Sequence, residues 1–220
     1  MVRWIVRHPL LASSAPLAVF ALTTGLLLAA HSARRASLLA DAPPSAEVLD
    51  EPLPVGDFAF TERSGQTVTQ DSLRGRVWIA ACFFTCCTDS CPKLSGSLAR
   101  LQHELAGEPD VRLVSLTVDP ARDTPATLSR YAEVYRADAD RWLFLTGSAE
   151  QVHAFVQGRL KLGVAENTGP GATPGTRVLH SPKLTLIDRR GRIRGYYDGT
   201  DPEAVARLRD AAGRLAGEAP

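Results

Sequence analysis

Two strongly apolar runs, Val77–Phe84 (VWIAACFF) and Val111–Val118 (VRLVSLTV), limit the possible folds more than any other feature of this chain. The first lacks the polar alternation of a half-exposed strand, so it reads as a strand covered on both faces. Between the runs, from about Pro92, Leu94, Leu98, Leu101 and Leu105 recur at helical spacing, and Gly107 ends the helix. A strand, a helix and a strand of this length close through a right-handed crossover, with the strands parallel. The chain is therefore expected to be α/β, with a central sheet flanked by helices.

The remaining elements follow from turn and cap chemistry. Val55 to Gln70 reads as a hairpin turning at Ser64-Gly65. Thr124-Pro125 opens a helix running to about Tyr135, with proline at its first position. Trp142 to Leu145 is a short strand, and Ser148 with Gln151 forms a capping box for the next helix. Gly158 to Arg177 is rich in glycine and proline and reads as a loop. Leu184 to Asp188 and Arg192 to Tyr197 form a second hairpin, and Asp201-Pro202 starts a final amphipathic helix. No internal repeat is present, so one domain over 55–217 is expected.

Ahead of that domain, residues 10–30 carry no charge and approach the ~20 residues that span a bilayer. Arg3 and Arg7 precede the run and favour a cytoplasmic amino terminus with the remainder exported. Length favours an uncleaved anchor over 1–36 rather than a signal cleaved after Ala30 or Ala33. Residues 37–54 are small, acidic and proline-bearing, and read as a flexible linker. The formal net charge of +1 gives no electrostatic ground for nucleic-acid binding.

All four cysteines fall within ten residues: Cys82, Cys86, Cys87 and Cys91. Cross-links that stabilise a fold close long loops, so this clustering marks a site rather than a scaffold. Cys87 and Cys91 are four apart at a strand-to-helix junction, where the sites of open α/β sheets lie. On one helical face their sulfurs can form a disulfide or share a metal ion, and the motif alone does not separate the two. At the start of the helix, Cys91 is expected to have a lowered thiol pKa. Cys82 lies within the first strand, where buried cysteine is an inert hydrophobe. With Met1 the only methionine, any soft-metal site must draw on cysteine and histidine.

T-C-C-T-D-S-C-P, then V-S-L-T-V-D-P-A-R-D-T-P, then H-S-P-K-L-T-L-I-D-R-R-G-R-I, in this order, resemble the Sco (SenC) family from about Val55 to Gly213. The resemblance implies a thioredoxin-like, peroxiredoxin-type fold behind an N-terminal membrane helix. It also implies copper, as Cu(I) or Cu(II), held by Cys87, Cys91 and His180, with Asp119 in support. Its implied role is maturing the dinuclear copper site of cytochrome c oxidase, as metallochaperone, thiol reductase or both. The implied partners are the oxidase subunit carrying that site, other copper chaperones or thiol–disulfide partners. The implied location is the periplasmic side of a membrane.

Two positions stand apart from the family pattern. Cys86 precedes the first implied ligand, where the family often has histidine or tyrosine. Were it to join its neighbours, a Cys3His zinc site would result, although adjacent residues of an extended segment point apart. Pro182 lies where thioredoxin-like oxidoreductases carry a cis-proline facing their cysteines. A cis Ser181–Pro182 bond would favour the alternative function, a metal-free thiol–disulfide oxidoreductase. A peroxidase reading rests on the fragment Thr88-Asp89-Ser90-Cys91, but Phe84 stands where that chemistry expects proline.

Overall fold

The computed structural model describes residues 45–170, 172–176 and 178–218. The expected membrane helix and the first part of the linker lie outside these residues. Among the described residues, no helix is long and apolar enough to cross a membrane.

The strands are β1 (Ala46–Pro54), β2 (Ala59–Glu62), β3 (Thr67–Thr69), β4 (Val77–Phe83), β5 (Val111–Thr117), β6 (Trp142–Thr146), β7 (Val164–Glu166), β8 (Val178–His180), β9 (Lys183–Ile187) and β10 (Arg192–Asp198). The helices are α1 (Ser90–Glu104), α2 (Pro125–Val134), α3 (Ala149–Gly158) and α4 (Pro202–Gly217). Eight strands form one mixed sheet in the order β1-β10-β9-β4-β5-β6-β2-β3, while β7 and β8 make a separate ribbon. β4, β5 and β6 are parallel, and β9 runs antiparallel to β4 on its other side. This is the thioredoxin-like arrangement, a mixed sheet covered by helices.

All seven residues of β4 are buried, as its unbroken apolar sequence requires. Its side chains alternate between two aromatic clusters. Trp78 meets Phe58, which packs on Phe155 of α3. Phe83 meets Tyr131 of α2 and Phe144 of β6. α1 packs against α4, which covers β4, β5 and β10. The Ser148–Gln151 capping box is present, and Thr124 and Asp201 cap helices with proline in the first turn. The hairpin over 59–69 and the β9–β10 hairpin also form as expected.

Two segments differ from expectation. Ala46–Pro54, placed in the linker by its composition, is the edge strand β1, paired antiparallel to β10 with an irregularity between Val48 and Leu53. Proline is tolerated on an edge strand because its missing N–H breaks no ladder bond on the open side, so Pro52 and Pro54 misread as linker. Within the glycine-rich segment, β7 and β8 pair over only three residues each, too short for a period-2 signal.

The parallel strands β4 and β5 end at one pole, where β9 begins: Ala81 of β4 is in register with Leu184. Gly199 tightens this pole. A Cβ there would fall on Leu94 Cδ1 and lie 3.0 Å from Leu184 Cγ and 3.1 Å from the Pro182 carbonyl oxygen. Leu94 is fully buried and has nowhere to retreat. Gly199→Ala is therefore expected to destabilise the domain by about 1–3 kcal/mol, measured as a lowered urea midpoint at unchanged m-value.

Candidate metal centre

At the end of β4 the chain leaves the sheet through a tight turn, in which Cys87 N–H donates to Phe84 O at 3.2 Å. This turn places Cys86 at the surface and leaves Cys87 half-buried. α1 then starts at Ser90 with no side-chain cap from Asp89. Pro92 in its first turn has no N–H to leave unpaired. Cys91 thus stands in the first turn of α1, fully buried.

His180 arrives from the other side. It ends β8, and Ser181 N–H ties the ribbon back to Gly163 O at 3.0 Å. Its ring stands edge-on to Phe84, with centroids 5.8 Å apart. One ligand atom each from Cys87, Cys91 and His180 lies within 4.8 Å of the others, the only such group of three or more among the described residues. The loop before β8 closes over them: a Cβ at Gly175 would come within 2.9 Å of Cys86 O, so only glycine lets this backbone approach. A cleft of about 140 Å³ remains, lined by Cys87, Asp89, Thr176, Leu179 and His180 among others.

Hydrogen bonding sets the imidazole's tautomer. Nδ1–H donates to the Ser181 carbonyl at 3.1 Å, leaving the Nε2 lone pair facing Cys91 Sγ at 3.1 Å. Burial holds His180 below its ordinary pKa, against the pull of the Ser181 bond, so it is neutral near pH 7. Burial likewise pushes the Cys91 thiol well above its ordinary value, reinforced by its hydrogen bond with Cys87, while the Phe84 main chain pulls the other way. The lowered Cys91 pKa expected from the helix terminus is therefore corrected: desolvation outweighs the dipole. The resting pair is a thiol donating to a neutral imidazole.

The other expected residues fall as follows. Cys82 is buried in β4 with its thiol pushed up to about 12 by desolvation, as expected of an inert core cysteine. Cys86 lies outside the three-residue cluster, so the geometry offers no Cys3His set. Asp119 also lies outside it. Its Oδ2 is buried without a hydrogen-bond partner, 3.8 Å from Arg122 Nε. The Ser181–Pro182 bond is trans, so the cis condition attached to Pro182 is not met. Sequence reasoning missed Asp123, whose buried carboxylate accepts from both the N–H and the hydroxyl of Thr85 at the root of the cysteine turn. It lay in the same V-D-P-A-R-D-T-P run, where its position just before the Thr124 cap disguised it as part of a helix start.

Two thiols and a neutral imidazole make a soft donor set. Their spread is close to the ~4.6 Å that two bonds of zinc–thiolate length would bridge, so the residues fit one soft ion with little rearrangement. Removal of two electrons and two protons from Cys87 and Cys91 would instead join them as a disulfide, after their sulfurs approach to about 2.05 Å.

Comparison with known proteins gives a consistent result. A family model described as SCO1/SenC matches residues 47–212. The SCO1 protein homolog of Bacillus subtilis (strain 168) is 33% identical over 149 residues, covering 67% of this chain and 75% of that protein. BsSco, described as a member of the Sco family of cytochrome c oxidase assembly proteins with a disulfide switch, superposes with a TM-score of 0.66 at 29% identity, over 79% of this chain and 99% of that one. Bradyrhizobium japonicum ScoI, solved with copper bound, gives a TM-score of 0.60 at 26% identity, over 70% and 97%.

Exposure orders the thiols. In the reduced, metal-free protein a bulky alkylating reagent is expected to label Cys86 first and Cys87 next, with Cys91 and Cys82 modified only on unfolding. Peptide mass spectrometry of a labelling time course checks this; early labelling of Cys91 would contradict its burial.

Proposed function

The chain belongs to the SCO1/SenC family, and from that membership we propose that it binds one copper(I) ion through Cys87, Cys91 and His180. In this reading it serves assembly of the dinuclear copper site of cytochrome c oxidase, as metallochaperone, thiol reductase or both. The observation that carries the reading is the convergence of two cysteines and a neutral, oriented imidazole within 4.8 Å at one pole of the sheet. The copper-bound state of Bradyrhizobium japonicum ScoI supports it. Asp119 and Pro182 take supporting places near the pole, Pro182 through its carbonyl, which accepts from Gly199 N–H at 3.1 Å. Residues 1–36 are assigned as a membrane anchor with the domain on the periplasmic side, joined by a tether that ends where β1 begins. Partners are the oxidase subunit that receives the metal and the copper or thiol donors that load or reduce this protein.

A second reading, a metal-free thiol–disulfide oxidoreductase, is favoured by the unequal exposure of the pair. Half-buried Cys87 is open to an incoming thiolate and buried Cys91 is not. The disulfide switch described for BsSco points the same way.

A copper(I) titration of the reduced protein against a competing chelator separates the readings. One equivalent is expected to bind tightly, and His180→Ala to weaken it by about tenfold or more, ~1.4 kcal/mol. Weak binding, equal in both proteins, would leave the oxidoreductase reading.

The pH dependence has a definite sign. Ligation needs thiolates, and Cys91 holds its proton more tightly than a free thiol, so the ion must displace protons. Apparent affinity is expected to fall as pH falls across the neutral range. His180, with its lowered pKa, adds proton competition only below the ordinary histidine range. Titrations repeated at several pH values check this, and a pH-independent affinity would exclude the buried thiol as ligand.

A further inference from the structure

The β5–α2 turn reaches the cysteine segment through a single buried carboxylate. Asp123 is 1% exposed. Its Oδ2 accepts from Thr85 N–H at 3.1 Å and from the Thr117 hydroxyl, and its Oδ1 accepts from the Thr85 hydroxyl at 2.5 Å. Its own N–H donates to Asp119 O at 3.0 Å, which fixes it to the turn. The Thr117 hydroxyl accepts in turn from Asp119 N–H at 3.1 Å. Among the described residues Asp123 joins no ion pair, and the neighbouring Arg122 faces Asp119 instead.

Burying a carboxylate without a cation is costly, and three uncharged donors only partly offset the loss of water. A hydroxyl such as threonine's would tie the turn to the loop at lower cost. What the carboxylate adds is its grip on one residue by two donors at once, which fixes both the main chain and the rotamer of Thr85. Thr85 is where the chain leaves β4, and Cys87 follows two residues later inside the Phe84–Cys87 turn.

We propose that Asp123 is a positioning residue for the Cys87–Cys91–His180 centre: through Thr85 it sets the direction in which the cysteine segment leaves β4. That direction fixes how far half-buried Cys87 stands from Cys91 and His180. Asp123 lies outside the group of three ligands and positions it through the loop, while its charge makes a smaller, direct coulombic contribution to holding the Cys91 proton. The proposal deepens the copper reading and rests on it for one of its two readouts.

Four variants test the grip. Thr85→Val deletes the hydroxyl arm while leaving Thr117 and the turn in place, and Thr85→Ser restores that arm. Asp123→Ala deletes the carboxylate. Asp123→Asn keeps the grip without the charge, because its amide oxygen takes the place of Oδ2 and its N–H can donate to a reversed Thr85 hydroxyl. Each full-length variant is measured for copper(I) affinity and, metal-free, for the equilibrium constant of the Cys87–Cys91 disulfide with glutathione.

Thr85→Val and Asp123→Ala are expected to lose about tenfold in copper affinity and to shift the glutathione equilibrium several-fold. Thr85→Ser and Asp123→Asn should stay near wild type. Thr85→Val should lower the unfolding midpoint modestly, because Oδ1 of the buried Asp123 loses its donor. The changes in copper affinity and in the glutathione equilibrium should not scale with stability across the four variants, which separates positioning from a general loss of fold. If Asp123→Ala does not fold, Thr85→Val carries the test. Wild-type values for Thr85→Val in both assays would overturn the proposal, as would effects that track lost stability across the four variants. Should wild type itself bind copper weakly, the copper reading fails, and the glutathione equilibrium alone decides the role of Asp123.

Discussion

Burial of β4 on both faces is the constraint from which the rest of the structure follows. Every residue from Val77 to Phe83 is inside, flanked by β5 on one side and β9 on the other. A strand so enclosed cannot slip by one residue, because each side chain would then enter the wrong aromatic cluster. Its register with β5 sets where the chain must leave the sheet. Its antiparallel register with β9 brings the segment after His180 to that same end. The cysteine turn and the histidine ribbon therefore meet because β4 holds both ends of the connection.

The chemistry of the centre is governed by the same burial. Desolvation opposes charge on either partner, raising the Cys91 thiol and lowering the His180 imidazole. Two neutral groups 3.1 Å apart then satisfy each other. A soft monovalent ion held by Cys87, Cys91 and His180 would displace both thiol protons, and the one net negative charge that remains would be spread over two polarizable sulfurs. Burial thus disfavours an empty site with two thiolates more strongly than a filled one, which would carry half that negative charge. The half-buried Cys87 and the narrow cleft beside it leave one side through which an ion or a thiolate can enter.

Most of the element order was legible because it rests on local chemistry. The capping box of α3, the Thr124-Pro125 and Asp201-Pro202 helix starts, the Ser64-Gly65 turn and the leucine spacing of α1 are all signals within a few residues. β1 was not legible, because an edge strand can carry Pro52 and Pro54 and still pair along its inner side. β7 and β8 were hidden because a three-residue ribbon has no period to detect. The thiol of Cys91 was misjudged since position in a helix is local, whereas desolvation depends on everything packed around the sulfur. Asp123 escaped notice for a related reason: its partners Thr85 and Thr117 lie on two other segments.

The sequence by itself determined a buried βαβ core, the clustering of four cysteines at a strand-to-helix junction, and the family through three ordered motifs. Those features are encoded in short stretches, so they survive being read one residue after another. Only the tertiary structure decided that His180 faces Cys91 through Nε2, that Cys86 stays outside the cluster, and that the Ser181–Pro182 bond is trans. It also decided that Asp123, a carboxylate with no ion pair among the described residues, grips the cysteine turn. Each of these depends on distances between segments far apart in the chain, and such distances are set by packing rather than by any local pattern.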